Sequence, residues 1–447
     1  VKWDYGWWPG VYHTDAETAW MKTGEGIWRF GNPGLQQRLR ALGITTMEEY
    51  GRYLKQHGLS WTLYVLFHDS LIDDPDTLSA KCHPEWFSET VITTGASADF
   101  GNEELVNWGK EKLTSLLSEN HVTTYRGDFE PICNTSDKRN RHVYPGVDTS
   151  YWCAVGFYDL IDHLRANVEG FRYECCGSGG SLKDFATLSH ANVIQSHDNA
   201  NYIDIRKTFY DSSYAIHPMQ LQAPVNVDLF IGDPLDPDEA HYGWRSVIMG
   251  ANNTASSVGD RQTALVPGTE ETYLQHYAVL FRDKIRPLIR DANLYHILPR
   301  PDEVHWDGLE YFNPETENDI KGAVFLFKPT DTEGPVKTVK LQGLDPNEYY
   351  RLEFEDRAEQ NTVKTGAQLM EGLNVTISQT RGSEIIWIGE GKRPAGGSVG
   401  TVFLRAGLPP QLFPAAGEVL PGPGTCAPAA GNHPPPLGGV WGSPPIL

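Results

Sequence analysis

Residues 102–130 read NEELVNWGKEKLTSLLSENHVTTYRGDFE, and the way this stretch divides decides the fold. From Asn102 to Asn120 the apolar residues Leu105, Trp108, Leu113, Leu116 and Leu117 share one side of a helix. At Val122 the pattern changes to a β-branched, apolar-leaning run that ends on Arg126, Gly127 and Asp128. A helix that feeds a short strand ending in charged residues is one unit of an alternating α/β chain.

The unit recurs. Short apolar runs lie near 2–8, 60–67 (SWTLYVLF), 122–128, 170–175 (GFRYEC), 191–197 and 214–218. Helical stretches fall between them. In 45–58, Met47, Tyr50, Tyr53 and Leu54 keep helical spacing and Gly58 supplies a C-cap. In 269–292, Thr269 is a candidate N-cap and Pro287 a candidate kink. Repeated strand–helix units imply parallel strands, and about seven of them favour a (β/α)8 barrel over an open sheet. The barrel is assigned to residues 1–305. Residues 306–392 change to alternating, β-rich runs broken by Gly, Pro and Asn, which read as a small antiparallel β-sandwich. From 393 to 447 Pro, Gly and Ala dominate with almost no charge, and the expectation is a disordered tail.

Composition narrows the function. A net charge of −21, from 58 acidic against 37 basic residues, argues against nucleic acid and against docking on an anionic membrane. No apolar run is long enough to span a bilayer, no signal peptide is recognisable, and the compartment stays unassigned. The chain does not begin with Met, which reads as a truncated or processed end. Six cysteines in 447 residues do not form a disulfide framework, and no zinc-type spacing occurs. Thirteen Trp and twenty Tyr supply core, and also flat rings of the kind that stack on sugar C–H faces.

In a barrel, the C-terminal ends of the strands converge on one mouth. The runs here end in Asp4; in His68 and Asp69; in Arg126, Asp128 and Glu130; in Glu174, Cys175 and Cys176 with the turn CGSGG; and in His197 and Asp198. One strand-end Asp is usually a turn residue. A succession of them suits glycosidic bond chemistry, in which one carboxylate is nucleophile or base and the other a proton donor. A metal held by the His–Asp pairs at 68–69 and 197–198 is the alternative. The glycines do not form a phosphate loop, since neither G-x-G-x-x-G nor G-K-[ST] is present.

At these positions the sequence resembles the melibiase-type α-galactosidases of glycoside hydrolase family 36, in the clan shared with family 27. WDYGWW resembles the family's D-D-G-W strand end, HPEWF (83–87) its H-P-D-W segment, and RGDFE its K-W-D-x-N nucleophile strand. ECCGSGGSLKD (174–184) resembles E-N-C-S-x-G-G-x-R-x-D, and SHD its S-D acid/base segment. LQGLDPNEYYRLEF and GAQLMEGLNVTI resemble its terminal β-domain. The resemblance runs from about residue 1 to 390 and implies a retaining α-glycosidase. It makes Asp128 the nucleophile and Asp198 the general acid/base. It places Asp4, Trp28, Asp69, Arg126, Cys176 and Gly179 around the sugar, and calls for no cofactor and no metal. The implied partner is an oligosaccharide or glycoside substrate, with a homo-oligomer left open.

The departures bear on specificity. Tyr5 stands for the second Asp of D-D-G-W, Arg126 and Gly127 for Lys and Trp, Glu130 for Asn, and Leu182 for Arg. Gly127 is expected to open space beside the nucleophile. The chain begins inside the family's second barrel strand, so an N-terminal β-domain and one strand–helix unit are expected to be missing. Asp128 then sits on strand four, Asp198 on strand six, and the eighth strand is expected near RSVIMG, 245–250. A non-catalytic carbohydrate-binding relative is the second reading.

Overall fold

The computed structural model describes residues 1–3, 28, 33–69, 75–92, 95–128, 149–198, 201–226, 237–255 and 276–393. Strands β1 (Lys2–Trp3) and β2 (Thr62–Tyr64) open the chain, followed by the hairpin β3 (Phe87–Ile92) and β4 (Gly95–Ala98). Then come β5 (Thr124–Gly127), β6 (Arg172–Cys175), β7 (Val193–Gln195), β8 (Leu221–Asn226) and β9 (Ala251–Ala255). Seven of these strands form one sheet in the order β1-β2-β5-β6-β7-β8-β9. Every pair in it is parallel.

That order follows the chain without reversal. A doubly wound sheet reverses at a switch point, whereas a barrel is wound in one direction. The sheet is also curled. Lys2 Nζ on β1 donates to Glu174 Oε1 on β6 at 2.8 Å, across the two strands between them. Laid flat, those strands would stand about 14 Å apart, beyond the joint reach of the two side chains. The curl brings them together, and the result is a TIM-type sheet forming an incomplete barrel.

Helices α1 (Pro33–Ala41), α2 (Met47–Gln56), α3 (Glu103–Glu119) and α4 (Thr149–Asn167) cover the first half of this sheet. Thr46 caps α2 in a capping box with Glu49, a device that contributes roughly 1 kcal/mol. The buried face of α2 is Met47, Tyr50, Gly51 and Leu54, whereas Tyr53, grouped with that face by its spacing, is 40% exposed. Asn102 caps α3, whose Leu105, Leu113, Leu116 and Leu117 are buried.

Two strand expectations shift. Arg245–Val247 end the helix Pro237–Val247, and the strand follows at Ala251–Ala255. Val247, Ile248 and Met249 are buried, and a short buried apolar run looks alike at a helix end and in a strand. Likewise 214–218 leads into a 3-10 turn, Pro218–Gln220, and the strand begins at Leu221. The expected kink at Pro287 is a π-helical turn, Phe281–Ile285, ahead of the helix Arg286–Asp291. In the wider turn the Arg286 N–H donates to the Phe281 carbonyl, five residues back, just ahead of the proline, which has no N–H to donate.

The C-terminal strands are β10 (Asn293–Tyr295), β11 (Asp307–Phe312), β12 (Ile320–Lys328), β13 (Val336–Val339), β14 (Tyr349–Phe354), β15 (Thr362–Thr365), β16 (Leu373–Thr376) and β17 (Gly382–Glu390). Six pair antiparallel in the order β10-β11-β12-β17-β14-β15, and β13 with β16 form a ribbon. Alternation serves two cores. Leu309, Tyr311, Phe325, Phe327, Ile385 and Trp387 pack with Val247, Ile248 and Leu280 of the barrel side. Val324, Leu326, Ile386 and Ile388 pack with Val339 and Val375 of the ribbon. GAQLME, within one of the segments that resembled the family's β-domain, is a short helix, Gly366–Glu371. Residues 394–447, expected to be disordered, lie outside the described residues.

Candidate active site

Asp128 follows β5 by one residue, Cys176 follows β6 by one, and Asp198 lies three past β7. Parallel pairing puts all three at the same edge of the sheet. Between β6 and Asp198 the chain makes an unusual turn. Gly177, Ser178, Gly179 and Gly180 all have positive φ, at 57°, 53°, 69° and 84°. A left-handed turn costs a residue with a Cβ about 1–2 kcal/mol, so three of the four positions being glycine is a physical requirement.

This turn touches both carboxylates. The Ser178 N–H donates to Asp128 Oδ1 at 3.2 Å and to the Asp128 carbonyl at 2.6 Å. A Cβ on Gly179 would stand 2.3 Å from Asp198 Oδ2, so the carboxylate of Asp198 lies directly on the glycine. Tyr64, on β2, donates from its hydroxyl to Asp128 Oδ2 at 2.7 Å. Asp128 is half-buried and Asp198 exposed, which leaves the acid/base candidate open to solvent. Burial and then the Asp128 carboxylate push the Cys176 thiol well above its ordinary range, so it stays protonated beside Asp128.

Below the turn lies a polar network that charge patterning did not reveal. Arg126 is 5% exposed, its Nη1 donating to Glu174 Oε1 at 2.5 Å and its Nη2 to Gln195 Oε1 at 2.5 Å. Arg126 and Glu174 are register partners on β5 and β6. Gln195 Nε2 then donates to Asp198 Oδ1 at 2.5 Å. Burial opposes the charge on Glu174, but Lys2 and Arg126 outweigh it and hold its carboxyl down at about 2.

The structure therefore brings together Arg126, Asp128, Cys176, Gly179 and Asp198. It does not bring Trp28 to them. That indole is 3% exposed within the core, and its Nε1 donates to Glu119 Oε2 at 3.1 Å. Glu119 ends α3, which runs back from the site edge, so no ring face is offered to a sugar there. Asp69 Oδ1 accepts from the Ala80 N–H at 3.0 Å, a loop-tying contact. The space expected beside Gly127 is filled, since a Cβ there would meet Tyr125 Oη at 2.8 Å and Tyr173 Cε2 at 3.3 Å. Asp4, Tyr5 and Glu130 lie outside the described residues. Tyr64 and Gln195 were not singled out from sequence. Their signal is a polar atom inside an apolar strand run, which needs a partner when buried. Among the described residues no group of three or more His, Cys, Asp or Glu side chains is placed to hold a metal ion, and no helix is long and apolar enough to cross a membrane.

Residues 34–228 match the melibiase family. No curated protein matches the chain. Among solved structures, an α-galactosidase from Lactobacillus brevis is similar at a TM-score of 0.69 and 16% identity, covering 89% of this chain and 51% of that one. A glycoside hydrolase family 36 α-galactosidase from Geobacillus stearothermophilus, in complex with raffinose, gives 0.67 and 16%, covering 87% and 51%. The chain thus spans about half the length of these structures. Residues 34–228 are similar to the melibiases, and the likeness to these α-galactosidase structures is one of fold.

Proposed function

We propose that the chain is a retaining α-glycosidase of the α-galactosidase type, acting on terminal α-linked sugars by double displacement. Asp128 is the nucleophile. One of its oxygens attacks the anomeric carbon while Asp198 gives a proton to the departing glycosidic oxygen. A glycosyl ester on Asp128 results. Water then attacks that ester, Asp198 takes its proton, and the product leaves with its configuration retained. Two carboxyl groups about 5 Å apart suit this chemistry.

The observation that carries the reading is the shared turn Gly177–Gly180, bonded to Asp128 on one side and lying against Asp198 on the other. Tyr64 and the Ser178 N–H both donate to the Asp128 carboxylate, which orients it. Cys176 and Gly179 line the sugar subsite in this reading, and Arg126 supports it from beneath. Structures of the same fold include α-galactosidases, and variants of one of them, from Geobacillus stearothermophilus, are crystallised with raffinose and with stachyose. An α-galactoside at the end of an oligosaccharide is accordingly the substrate class we assign. The two C-terminal sheets, packed about the core of Val324, Leu326, Ile386 and Ile388, are read as the layers of the family's β-sandwich.

Mass spectrometry after trapping with a fluorinated or cyclophellitol-type α-galactoside tests the assignment. A label on the peptide carrying Asp128 is expected, with none in Asp128→Ala and at least a 1,000-fold loss of turnover in that variant. A label on another carboxylate, or undiminished turnover, would refute the assignment.

A further inference from the structure

Gln195 forms a bridge whose polarity is fixed by its neighbours. A guanidinium only donates, so the Gln195 atom facing Arg126 Nη2 is the carbonyl oxygen. Its amide nitrogen must then face Asp198, where it donates to Oδ1. Oδ1 is therefore an acceptor, and the proton of a protonated Asp198 belongs on Oδ2, the oxygen lying against Gly179. Gln195 is 2% exposed and Arg126 5%, so the bridge is out of water and tightly packed.

We propose that Gln195 is the positioning residue for the acid/base Asp198, held in turn by the buried pair Arg126–Glu174. This deepens the function proposed above and rests on it. Asp198 is exposed, with its carboxylate resting against Gly179. The amide N–H of Gln195 fixes its rotation, so that the proton-bearing oxygen faces the departing group. The planar fork of Arg126 is what makes the device possible, since it serves Glu174 and Gln195 at once, as a lysine ammonium on this strand could not with the same geometry. Other charged or titratable groups face the same place. Asp128 and Cys176 lie across the Gly177–Gly180 turn, His197 precedes Asp198, and Lys183 donates to the Ser196 carbonyl at 2.6 Å. The donor at Asp198 Oδ1 is Gln195 Nε2.

Gln195→Glu tests the proposal, because the substitution is isosteric and keeps an acceptor for Arg126, while replacing the donor to Asp198 with a carboxylate oxygen that repels it. The readout is kcat/KM, which follows formation of the glycosyl ester, on phenyl and on 2,4-dinitrophenyl α-galactoside. The phenyl leaving group needs a well-aimed proton and the dinitrophenyl group hardly needs one. The expected result is a loss of about 10- to 100-fold on the phenyl substrate, the scale of a small misplacement of a reacting group, with under about 3-fold on the other. Equal losses on both, or none, would overturn the positioning role. A crystal structure of the variant decides independently of turnover. Asp198 should rotate off Gly179; an unmoved carboxylate would overturn the proposal. Wild-type protein that cleaves neither glycoside would instead count against the α-galactosidase reading, with the crystal structure still deciding whether Gln195 positions Asp198.

Discussion

At the scale of single residues, the site depends on backbone that favours glycine, at Gly177, Gly179 and Gly180. Gly179 has φ of 69°, and a Cβ there would collide with Asp198 Oδ2 at 2.3 Å. Gly179→Ala is therefore expected to displace Asp198 and reduce turnover of an α-galactoside by at least 100-fold, while Ser178→Gly, at φ of 53°, relieves strain and retains activity. Steady-state kinetics of the two variants side by side checks this; an active Gly179→Ala would show that the turn does not set the carboxylate. The two carboxylates were legible in the sequence, because strand-end aspartates beside CGSGG leave a local trace. Gln195 and Tyr64 were not, because their partners stand on other strands and only the sheet register brings them together. Trp28 misled for the same reason in reverse, since an aromatic ring says nothing of which end of the barrel it occupies.

At the scale of elements, helices α2 and α4 each carry a glycine where propensity would favour alanine. Both sit where another segment's carbonyl presses against the helix. A Cβ on Gly51 would stand 1.8 Å from the Asn120 carbonyl oxygen, and one on Gly156 1.8 Å from that of Phe100. Alanine gains about 1 kcal/mol in helix propensity, but an obstructing backbone cannot yield as a side chain can. Gly51→Ala and Gly156→Ala are each expected to destabilise the protein by about 1–3 kcal/mol, measured as a lowered urea midpoint. A raised midpoint would mean that the close approaches relax freely. Helices were the readable elements, since their period extends over many residues. Strands of three or four residues were located only roughly, and Arg245–Val247 shows the limit. A buried apolar run of that length carries no period, so the helix end and the following strand at Ala251 could not be separated.

At the scale of the whole molecule, the barrel side and the antiparallel sheet are joined by buried charge as well as by apolar packing. Arg206 donates from Nε and Nη2 to Asp307 at 3.0 and 3.1 Å, and Arg245 donates to the Ser383 carbonyl at 2.9 Å and pairs with Asp356 at 2.7 Å. The change in patterning near residue 306 pointed to a change of strand class, and the strands from Asp307 to Lys328 do pair antiparallel; it did not show that one face of that sheet would complete the barrel's core. That depends on alternation read against a neighbour.

The same sheet contains Glu310, fully buried, with Oε2 accepting from the Gln342 N–H at 2.8 Å. Burial raises its carboxyl from 4.5 to about 8. Between those values the folded state keeps a proton that the unfolded chain has released, so the contribution of Glu310 is complete below about 4.5 and is lost as pH rises through about 8. Asp307 and Glu384 are also raised by burial and bend the profile in the same direction, whereas Glu174, held at about 2, acts only below this window. The difference between wild type and Glu310→Gln isolates one group, since the amide keeps an acceptor for Gln342 and does not titrate. Chemical denaturation from pH 5 to pH 8 should show the wild type losing stability relative to the variant, by up to about 1.4 kcal/mol per pH unit. Parallel profiles would mean that Glu310 is ionised in the folded protein, with its charge met by a partner.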